Sequence, residues 1–323
     1  MNPNRRDFLA LGVGALAVAT LPRALRRPDR LVRRQIPVMG TVAEIAVRHP
    51  DEAWAQRAMD AAFAELRRVD AAMSRFRTDS DVGRLNAAAG RETVPVSEAT
   101  AEVLAAGVRW AEVSHGLFDP CLGRACELWH VGTRSAPPSD AELAVAGRGN
   151  HFRELELDRG GSVPRAALAT SHAAVDLGGI AKGYGVDLAA QALRDQGIFH
   201  ALVNAGGDLV AMGVDGEGDP WKVGVRSPDR LERMVEVLEV SDRAVATSGN
   251  YLQSFTFGGR RYHHILNPVS GEPRVTAMRS LTIEAATCTD ADAAATALFG
   301  VEADEARSVL AQALPGSRLV LAV

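Results

Sequence analysis

The residue types best suited to chemistry stand near the C-terminal end, in C-T-D-A-D-A-A-A-T-A-L-F-G at 288–300. The alanines predict a helix, and Asp292 and Thr296, four apart, then share one face. Two interpretations stay open on these residues alone. The polar residues can serve the helix itself, with Thr289 or Asp290 as its N-cap. Alternatively, Asp292 and Thr296 are oxygen ligands for a hard cation such as Mg²⁺.

A second candidate is the run D-L-G-G-I-A-K-G at 176–183, which places two glycines where a helix is predicted to begin. Backbone N–H groups at such a start bind anions, and glycine lets a phosphate approach closely. The run lacks Walker spacing, and an ordinary turn remains the alternative. Lys182 is one of two lysines in a chain with 34 arginines, which favours a role for a compact ammonium group.

Two further runs expose backbone or titratable groups. N-A-G-G-D at 204–208 interrupts an apolar strand, as a bulge or as a backbone edge beside a ligand. Y-H-H-I-L-N-P-V-S-G-E-P at 262–273 leads two histidines into a Pro-Gly turn. Among the eight histidines, His264 is the best candidate for proton transfer.

Hydrophobic periodicity predicts the elements that must position these runs. The predicted helices are 51–73, 98–114, 121–130, a segment ending near 196, 290–299 and 303–312. The predicted strands are 41–47, 201–213, 221–226, 235–240, 244–247, 280–286 and the C-terminal L-V-L-A-V. Strand-rich blocks beside helical blocks favour an α+β fold, and the proline- and glycine-containing stretch 133–150 is the predicted boundary between two lobes.

Charge argues against one class of partner. The 323-residue chain carries a net charge of −4, and residues 1–34 hold eight Arg and two Asp. Without them, 28 basic and 38 acidic residues remain, a net charge of about −10. Nucleic-acid binding requires a basic face, so that function is disfavoured.

The N-terminus has the pattern of an export leader. N-R-R-D-F-L-A-L at 4–11 precedes a short, weakly apolar run, as in twin-arginine export signals. We therefore expect residues 1–34 to be a signal and basic linker, and the protein to be periplasmic or otherwise extracytoplasmic, with membrane proximity through this leader. A short membrane anchor or a chance basic start is the alternative.

The cysteine count is three: Cys121, Cys126 and Cys288. An odd number argues against a disulfide framework. Cys121, Cys126 and His130 have the donor types of a zinc site, but their spacing fits no standard finger and a fourth ligand is missing. We interpret the three as buried thiols.

Eight motifs in order resemble the ApbE-type flavin transferases. They are V-M-G-T, M-S-R-F-R-x-D-S-D-V-G-R-L-N, G-L-F-D-P, D-L-G-G-I-A-K-G-Y-G-V-D, N-A-G-G-D, A-T-S-G-N-Y, H-I-L-N-P-x-S-G and A-D-A-A-A-T-A-L-F. Each is weak alone, but the ordered set is specific. The resemblance implies that residues 35–323 form a two-lobed, T-fold-related α+β architecture with mixed or antiparallel sheets, flanking helices and a ligand site between the lobes.

The resemblance also implies a site. The carbonyl of Gly179 with Asp292 and Thr296 corresponds to Mg²⁺ ligands. The implied FAD contacts are Met39, Phe76, Leu117, Phe118, Asp119, Asp176, Lys182 and Leu266. This chain departs from many members at Phe76, where they have Tyr, at Ala295, where some have a second Asp, and at Asn267, where others have Asp.

The activity implied is Mg²⁺-dependent transfer of FMN from FAD onto a Thr or Ser hydroxyl of an acceptor protein, releasing AMP. His264 is the expected general base. Two alternatives remain: an FAD pyrophosphatase, in which water replaces the hydroxyl, and a non-enzymatic exported flavin-binding protein.

Overall fold

A computed structural model describes residues 16–18, 30–146, 149–215, 218–230, 232–251 and 253–323. Most of the predicted leader lies outside these ranges, so the export signal stays a prediction. Leu16–Val18 forms strand β1, and strand β2, Arg30–Val38, begins inside the predicted linker. Arg30 of β2 pairs with His49, so the central sheet starts before residue 35.

The six predicted helices lie close to their expected positions, whereas a helix at Asp81–Ala88 was not predicted. Their bounds are α1 Glu52–Met73, α2 Asp81–Ala88, α3 Glu98–Val113, α4 Gly123–Trp129, α5 Asp140–Val145, α6 Ala181–Asp195, α7 Cys288–Leu298 and α8 Ala303–Ala313, with a 3₁₀ turn at His151–Glu154. Side-chain caps fix several starts: Asp51 accepts from Trp54 N at α1, and Ser97 accepts from Thr100 N at α3.

The remaining strands are β3 Thr41–His49, β4 Val94–Pro95, β5 Leu155–Asp158, β6 Arg165–Leu168, β7 Ala201–Ala205, β8 Asp208–Met212, β9 Trp221–Arg226, β10 Met234–Val240, β11 Arg243–Gly249, β12 Ser254–Phe257, β13 Arg260–His263, β14 Ser280–Ala285 and β15 Arg318–Ala322. The central sheet has seven strands in the order β15-β14-β11-β8-β7-β3-β2. Every neighbouring pair in it is antiparallel. The α+β prediction with antiparallel sheets and flanking helices is confirmed.

Each face of the central sheet is covered by its own apolar layer. On one face, α1 and α6 pack through fully buried side chains such as Phe63, Leu66 and Leu193. On the other, strands β9 and β10 place Trp221 and Leu238 against the sheet. Burying apolar surface on both faces supplies the main driving force for this arrangement.

Helix α7 is apolar on nearly all sides because it lies between two core clusters. Cys288 and Ala291 belong to the cluster under α1 and α6. Ala294, Leu298 and Phe299 belong to the cluster formed with α2 and α3. A polar side chain on this helix is therefore buried unless it faces a polar site.

The glycine pair in N-A-G-G-D forms a hairpin turn, so the interpretation of 201–213 as one bulged strand was wrong. Gly206 and Gly207 have φ of +68° and +105°, which glycine adopts without the steric cost that other residues incur. The turn joins β7 to β8 and places Asp208 at the first position of β8. Before the glycine turn at 178–179, Ala174 forms an isolated bridge with Leu122.

The stretch 133–150 contains the short helix α5, whose start carries a reciprocal cap between Ser139 and Glu142. The lobe boundary predicted there stays a prediction. Among the described residues, no helix combines the length and apolar character that crossing a membrane requires.

Helices α6 and α7 approach each other at a glycine. A Cβ on Gly183 would lie 2.6 Å from the carbonyl carbon of Cys288 and 2.8 Å from Thr289 N. These are backbone atoms that cannot turn aside, so the closeness of the two helices depends on the missing side chain.

We expect Gly183→Ala to destabilise the protein by about 1–3 kcal/mol, because the added methyl forces α6 away from α7. Gly132→Ala is the matched control, since no heavy atom lies within 4 Å of a Cβ built there. Urea denaturation of both variants measures the difference. Equal stability of the two variants would contradict this account of the contact.

Candidate active site

Three charged side chains meet where α6, α7 and β8 converge. The Nζ of Lys182 forms an ion pair with Asp208 and lies 3.4 Å from Oδ2 of Asp292. Both carboxylates are nearly inaccessible to solvent, at 2% for Asp208 and 3% for Asp292. The backbone N–H of Gly183 donates to Asp292 Oδ2 at 3.1 Å. Two buried carboxyl groups therefore share one ammonium group, and the cluster has a net negative charge when both carboxyl groups are ionised.

The charges shift one another's protonation. Burial and the neighbouring Asp208 raise the pKa of Asp292 to about 7, while Lys182 and the Gly183 N–H oppose the rise. For Lys182, burial alone lowers the pKa, but Asp208 and Asp292 outweigh it and raise the pKa well above its ordinary value. Lys182 is thus held as a cation beside two carboxylates.

Asp292 does not cap its helix. The N-cap of α7 is Thr287, not Thr289 or Asp290, and its side chain accepts from Asp290 N at 3.2 Å. Asp187 of α6 also accepts from Cys288 N at 2.8 Å. The helix begins earlier than expected because a carboxylate from α6 satisfies its first N–H groups. The capping interpretation therefore leaves Asp292 unexplained.

Thr296 lies one turn beyond Asp292 and faces the same region. Its Oγ1 is 3.3 Å from Ser248 Oγ on β11. A Cβ on Gly179 would lie 2.9 Å from Thr296 Oγ1, so only glycine permits this close approach of the 176–183 turn. Gly179, Ser248 and Thr296 are far apart in the sequence, and the fold brings them together.

The donor types fit a hard cation. Asp292, Thr296 and the backbone of Gly179 offer carboxylate, hydroxyl and carbonyl oxygens, the ligands Mg²⁺ prefers. Within the described ranges, no group of three or more His, Cys, Asp or Glu side chains is arranged to hold a metal. A cation here would depend on the hydroxyl and carbonyl as well as on one carboxylate, and the net negative charge favours it.

His264 is exposed to solvent. Its Nδ1 is 3.4 Å from the carbonyl oxygen of Gln253, which can only accept, so we assign the proton to Nδ1 and the lone pair to Nε2. The surrounding protein lowers its pKa, Lys182 lowers it further, and Asp176 opposes them. The imidazole is therefore neutral at neutral pH and within electrostatic range of both residues.

Asp176 connects the glycine turn to an exposed aromatic ring. Its carboxylate accepts from Gly178 N at 2.9 Å and pairs with Arg75 Nε at 2.8 Å. The Arg75 guanidinium lies 4.2 Å from the ring centroid of Phe76, whose side chain is 76% exposed. An exposed ring with one face held by a guanidinium is suited to stacking a planar ligand.

The other predicted contacts are mostly buried and hold loops together. Met39 is in the turn between β2 and β3, with φ of +53° and its sulfur packed beside Gly185 of α6. Phe118 and Leu266 are only 4% and 5% exposed. The Asp119 carboxylate points into the protein and accepts from Cys121 N at 2.8 Å and Phe152 N at 3.2 Å.

Arg274, which the sequence did not indicate, joins these loops. Its guanidinium donates to the carbonyls of Leu117 and Leu266, and to those of Ala297 and Phe299 at the C-terminal end of α7. Burial lowers its pKa to about 10, which still leaves it charged at neutral pH. The cation complements the negative end of the α7 dipole.

Arg75, Asp208 and Ser248 were also missed. Asp208 could have been predicted from the sequence, because it is the last residue of the N-A-G-G-D run. Ser248 lies in A-T-S-G-N-Y, but nothing local marks it as a neighbour of Thr296. The cysteines are free, with Cys121 and Cys288 buried and Cys126 partly buried, close to the buried-thiol interpretation.

The chain resembles proteins of one family along nearly its whole length. The model of the ApbE family matches residues 39–321. The FAD:protein FMN transferase of Treponema pallidum is 37% identical over 81% of this chain and 76% of its own length. The FAD:protein FMN transferase of Vibrio cholerae is 32% identical over 88% of this chain and 86% of its own.

Solved structures show the same fold. The apo form of the Pseudomonas stutzeri flavinyl transferase ApbE superposes with a TM-score of 0.77 at 28% identity, covering 88% of this chain and 89% of that one. The ApbE protein of Thermotoga maritima has a TM-score of 0.77 at 31% identity, covering 87% and 90%.

The buried Asp119 gives the stability a pH dependence. Burial raises its pKa to about 6, above the ordinary 3.8, so the folded state holds the proton more tightly than the unfolded state. The stability that Asp119 contributes is present at acidic pH and is lost as pH rises through about 6.

We therefore expect the stability difference between wild type and Asp119→Asn to fall by up to ~3 kcal/mol between about pH 4 and pH 6.5. Urea denaturation at several pH values measures it. Asp304→Asn, on an exposed position of α8, supplies the baseline. A difference that widens with pH would contradict the assignment.

Proposed function

The chain belongs to the ApbE family, and from this premise we propose that it transfers the FMN part of FAD to an acceptor protein. We further propose that the acceptor group is a Thr or Ser hydroxyl, that AMP leaves, and that Mg²⁺ is required. The single observation that carries the proposal is the meeting of Lys182, Asp208 and Asp292 beside Thr296 and Gly179. This charge cluster joins three of the motifs that mark the family.

The reaction balances as one phosphoryl-type displacement. The acceptor oxygen attacks the phosphorus on the FMN side of the pyrophosphate, and a new P–O bond forms as the bond to the AMP phosphate breaks. The acceptor hydroxyl loses its proton, and AMP departs with the bridging oxygen. The obstacle is negative charge, because an oxygen nucleophile must approach a doubly anionic pyrophosphate.

The residues of the cluster would counter that charge. Asp292, Thr296 and the Gly179 carbonyl would hold the cation. Mg²⁺, when bound, supplies positive charge to the pyrophosphate and to the departing AMP. Asp208 keeps Lys182 oriented and protonated, and the ammonium group would then offer positive charge to the phosphates. The N–H groups of the glycine turn at 178–179 offer further donors to an anion.

His264 is suited to take the hydroxyl proton. With Nδ1–H directed at the Gln253 carbonyl, Nε2 carries the free lone pair. Its lowered pKa keeps the imidazole unprotonated at neutral pH, the state a general base requires. Lys182 and Asp176 influence its charge, which supports a role for His264 beside the same proposed ligand.

A second candidate is the FAD pyrophosphatase, in which water takes the place of the acceptor hydroxyl. The observation that favours it is the solvent access of His264, because a base open to solvent can activate water. The same residues would serve both reactions. The non-enzymatic flavin-binding alternative predicts no turnover at all.

The pattern at residues 4–11 supports a further proposal, that the protein is exported by the twin-arginine route and acts outside the cytoplasm. Fusion of residues 1–34 to a reporter that is active only after folded export tests it. Replacement of Arg5 and Arg6 by Lys should abolish reporter export. Unchanged export of the replaced leader would contradict the proposal.

Incubation of the purified protein with FAD, Mg²⁺ and a Thr-bearing acceptor should yield acceptor heavier by one FMN moiety, together with AMP. Mass spectrometry of the acceptor and chromatography of the nucleotides measure both products. Free FMN with unmodified acceptor would identify the pyrophosphatase. Unchanged FAD that remains bound would identify the binding protein.

Asp292→Asn should lower transfer by ~10²-fold or more while preserving the fold, because it removes the carboxylate charge but keeps an acceptor for Gly183 N–H. Asp304→Asn is the matched control on an exposed position. Circular dichroism checks the fold of both. Full activity of Asp292→Asn, or activity that survives chelation, would remove the metal from the mechanism.

The pH profile tests His264. A base must be unprotonated, and its pKa lies below the ordinary 6.5, so kcat/KM for transfer should rise with pH through a midpoint below 6.5. His264→Gln should lose this acid limb, and its rate should fall by ~10²–10⁴-fold with FAD affinity retained. An acid limb that persists in His264→Gln would assign the base to another group.

A further inference from the structure

Three arginines gather around the backbone and ring of Tyr251. We call Arg226, Arg261 and Arg279 the arginine patch. Arg261 Nη2 donates to the Tyr251 carbonyl at 3.3 Å, and Arg226 is close enough to influence the Tyr251 phenol. Partial burial lowers the pKa of Arg261, and its neighbour Arg279 lowers it further. Arg261 and Arg279 are therefore bonded to the adjacent residues Tyr251 and Asn250, and Arg226 is within electrostatic range of Tyr251.

The patch has an excess of positive charge. Asp229 pairs with Arg279 Nη1 at 2.9 Å and is itself 68% exposed. Across the described ranges, neither Arg226 nor Arg261 forms an ion pair with a carboxylate. Three cations facing one carboxylate stand out in a chain whose net charge is −4.

The patch shares a loop with the candidate active site. At one end of the loop, Ser248 Oγ is 3.3 Å from Thr296 Oγ1. At the other end, the Gln253 carbonyl is 3.4 Å from His264 Nδ1. Tyr251 lies between them, so its Cα is within about 10 Å of each end.

The loop is tied down on the side of the patch. Arg279 Nε donates to Asn250 Oδ1 at 3.1 Å, and Asn250 Nδ2 donates to the Met278 carbonyl at 3.0 Å. Direct hydrogen bonds therefore fix the position of the patch relative to the candidate active site. A segment that brings a hydroxyl to His264 passes close to these arginines.

We propose that the arginine patch docks an acidic segment of the acceptor protein beside its modified Thr or Ser, an inference that rests on the proposed transfer function. The forked donors of arginine match carboxylates, and Asp229 shows that the patch accepts one. The exposed position of Arg261 and Asp229 suits a protein partner rather than an enclosed nucleotide. Such rim charges act mainly on encounter and on salt dependence.

A direct binding assay tests the proposal without requiring turnover. The probe is a fluorescent peptide with a central Thr flanked by two Asp on each side, and its control has Asn at those four positions. Fluorescence anisotropy at low salt should show tighter binding of the Asp peptide to the full-length protein. The preference should vanish at high salt.

The variants have opposite expected effects. Arg226→Gln and Arg261→Gln should each lower the affinity for the Asp peptide by about 3-fold, and the double variant should lower it by about 10-fold. Asp229→Asn removes the competing carboxylate and should strengthen binding by about 2-fold. Arg307→Gln on α8, an exposed arginine outside the patch, should change nothing.

Equal binding of the Asp and Asn peptides would overturn the proposal, and so would equal effects of Arg261→Gln and Arg307→Gln on peptide binding. Displacement of the Asp peptide by FAD would also overturn it, because the patch would then be a phosphate site. FAD turnover assayed on the same preparations keeps the two ideas apart. Loss of docking with intact FMN transfer rejects only the docking role, whereas absence of transfer by wild type rejects the proposed function.

Discussion

The close contact between α6 and α7 is the constraint on which the rest of the site depends. Because Gly183 has no side chain, the first turn of α6 lies directly against the first turn of α7. Lys182 and the Gly183 N–H then reach Asp292, 110 and 109 residues away along the chain. A larger residue at this position would separate the ammonium from the carboxylate and remove the charge cluster.

Burial gives this cluster its chemical character. A carboxylate in an apolar helix interior is unfavourable unless paired, and two carboxylates with one ammonium remain incompletely neutralised. The protein tolerates this because apolar layers on both sides of α7 stabilise the helix independently of its polar face. When Asp292 is ionised, the cluster carries negative charge that would attract a cation, as the proposed function requires.

Structural polar groups and reactive polar groups are separated in this fold. Asp187 caps α7 from α6, Asp119 holds two backbone N–H groups, and Arg274 gathers four carbonyls from three segments. Most of the hydrogen bonds of these groups are to backbone atoms. Thr296 is partly exposed and His264 is exposed, which is consistent with the ligand roles proposed for them.

Much of the architecture could be predicted from the sequence. Periodicity located six of the helices, because it depends on residues close in the chain. Predictions from neighbouring residues failed where residues distant in the sequence determine the local structure. The α7 start moved to Thr287 because Asp187 caps it from another helix, and the Gly206–Gly207 pair became a hairpin because β7 and β8 pair in the sheet.

The sequence by itself determined the family, the α+β class and the shared helix face of the Asp292 carboxylate and the Thr296 hydroxyl. Only the tertiary structure decided that Lys182 faces both Asp208 and Asp292, that Arg75 joins Asp176 to Phe76, and that Arg274 binds the loops around α7. The physical reason is range. Helical spacing and turn chemistry are set by neighbours a few residues apart, whereas an ion pair between residues 26 or 110 positions apart exists only after the sheet and helices have packed.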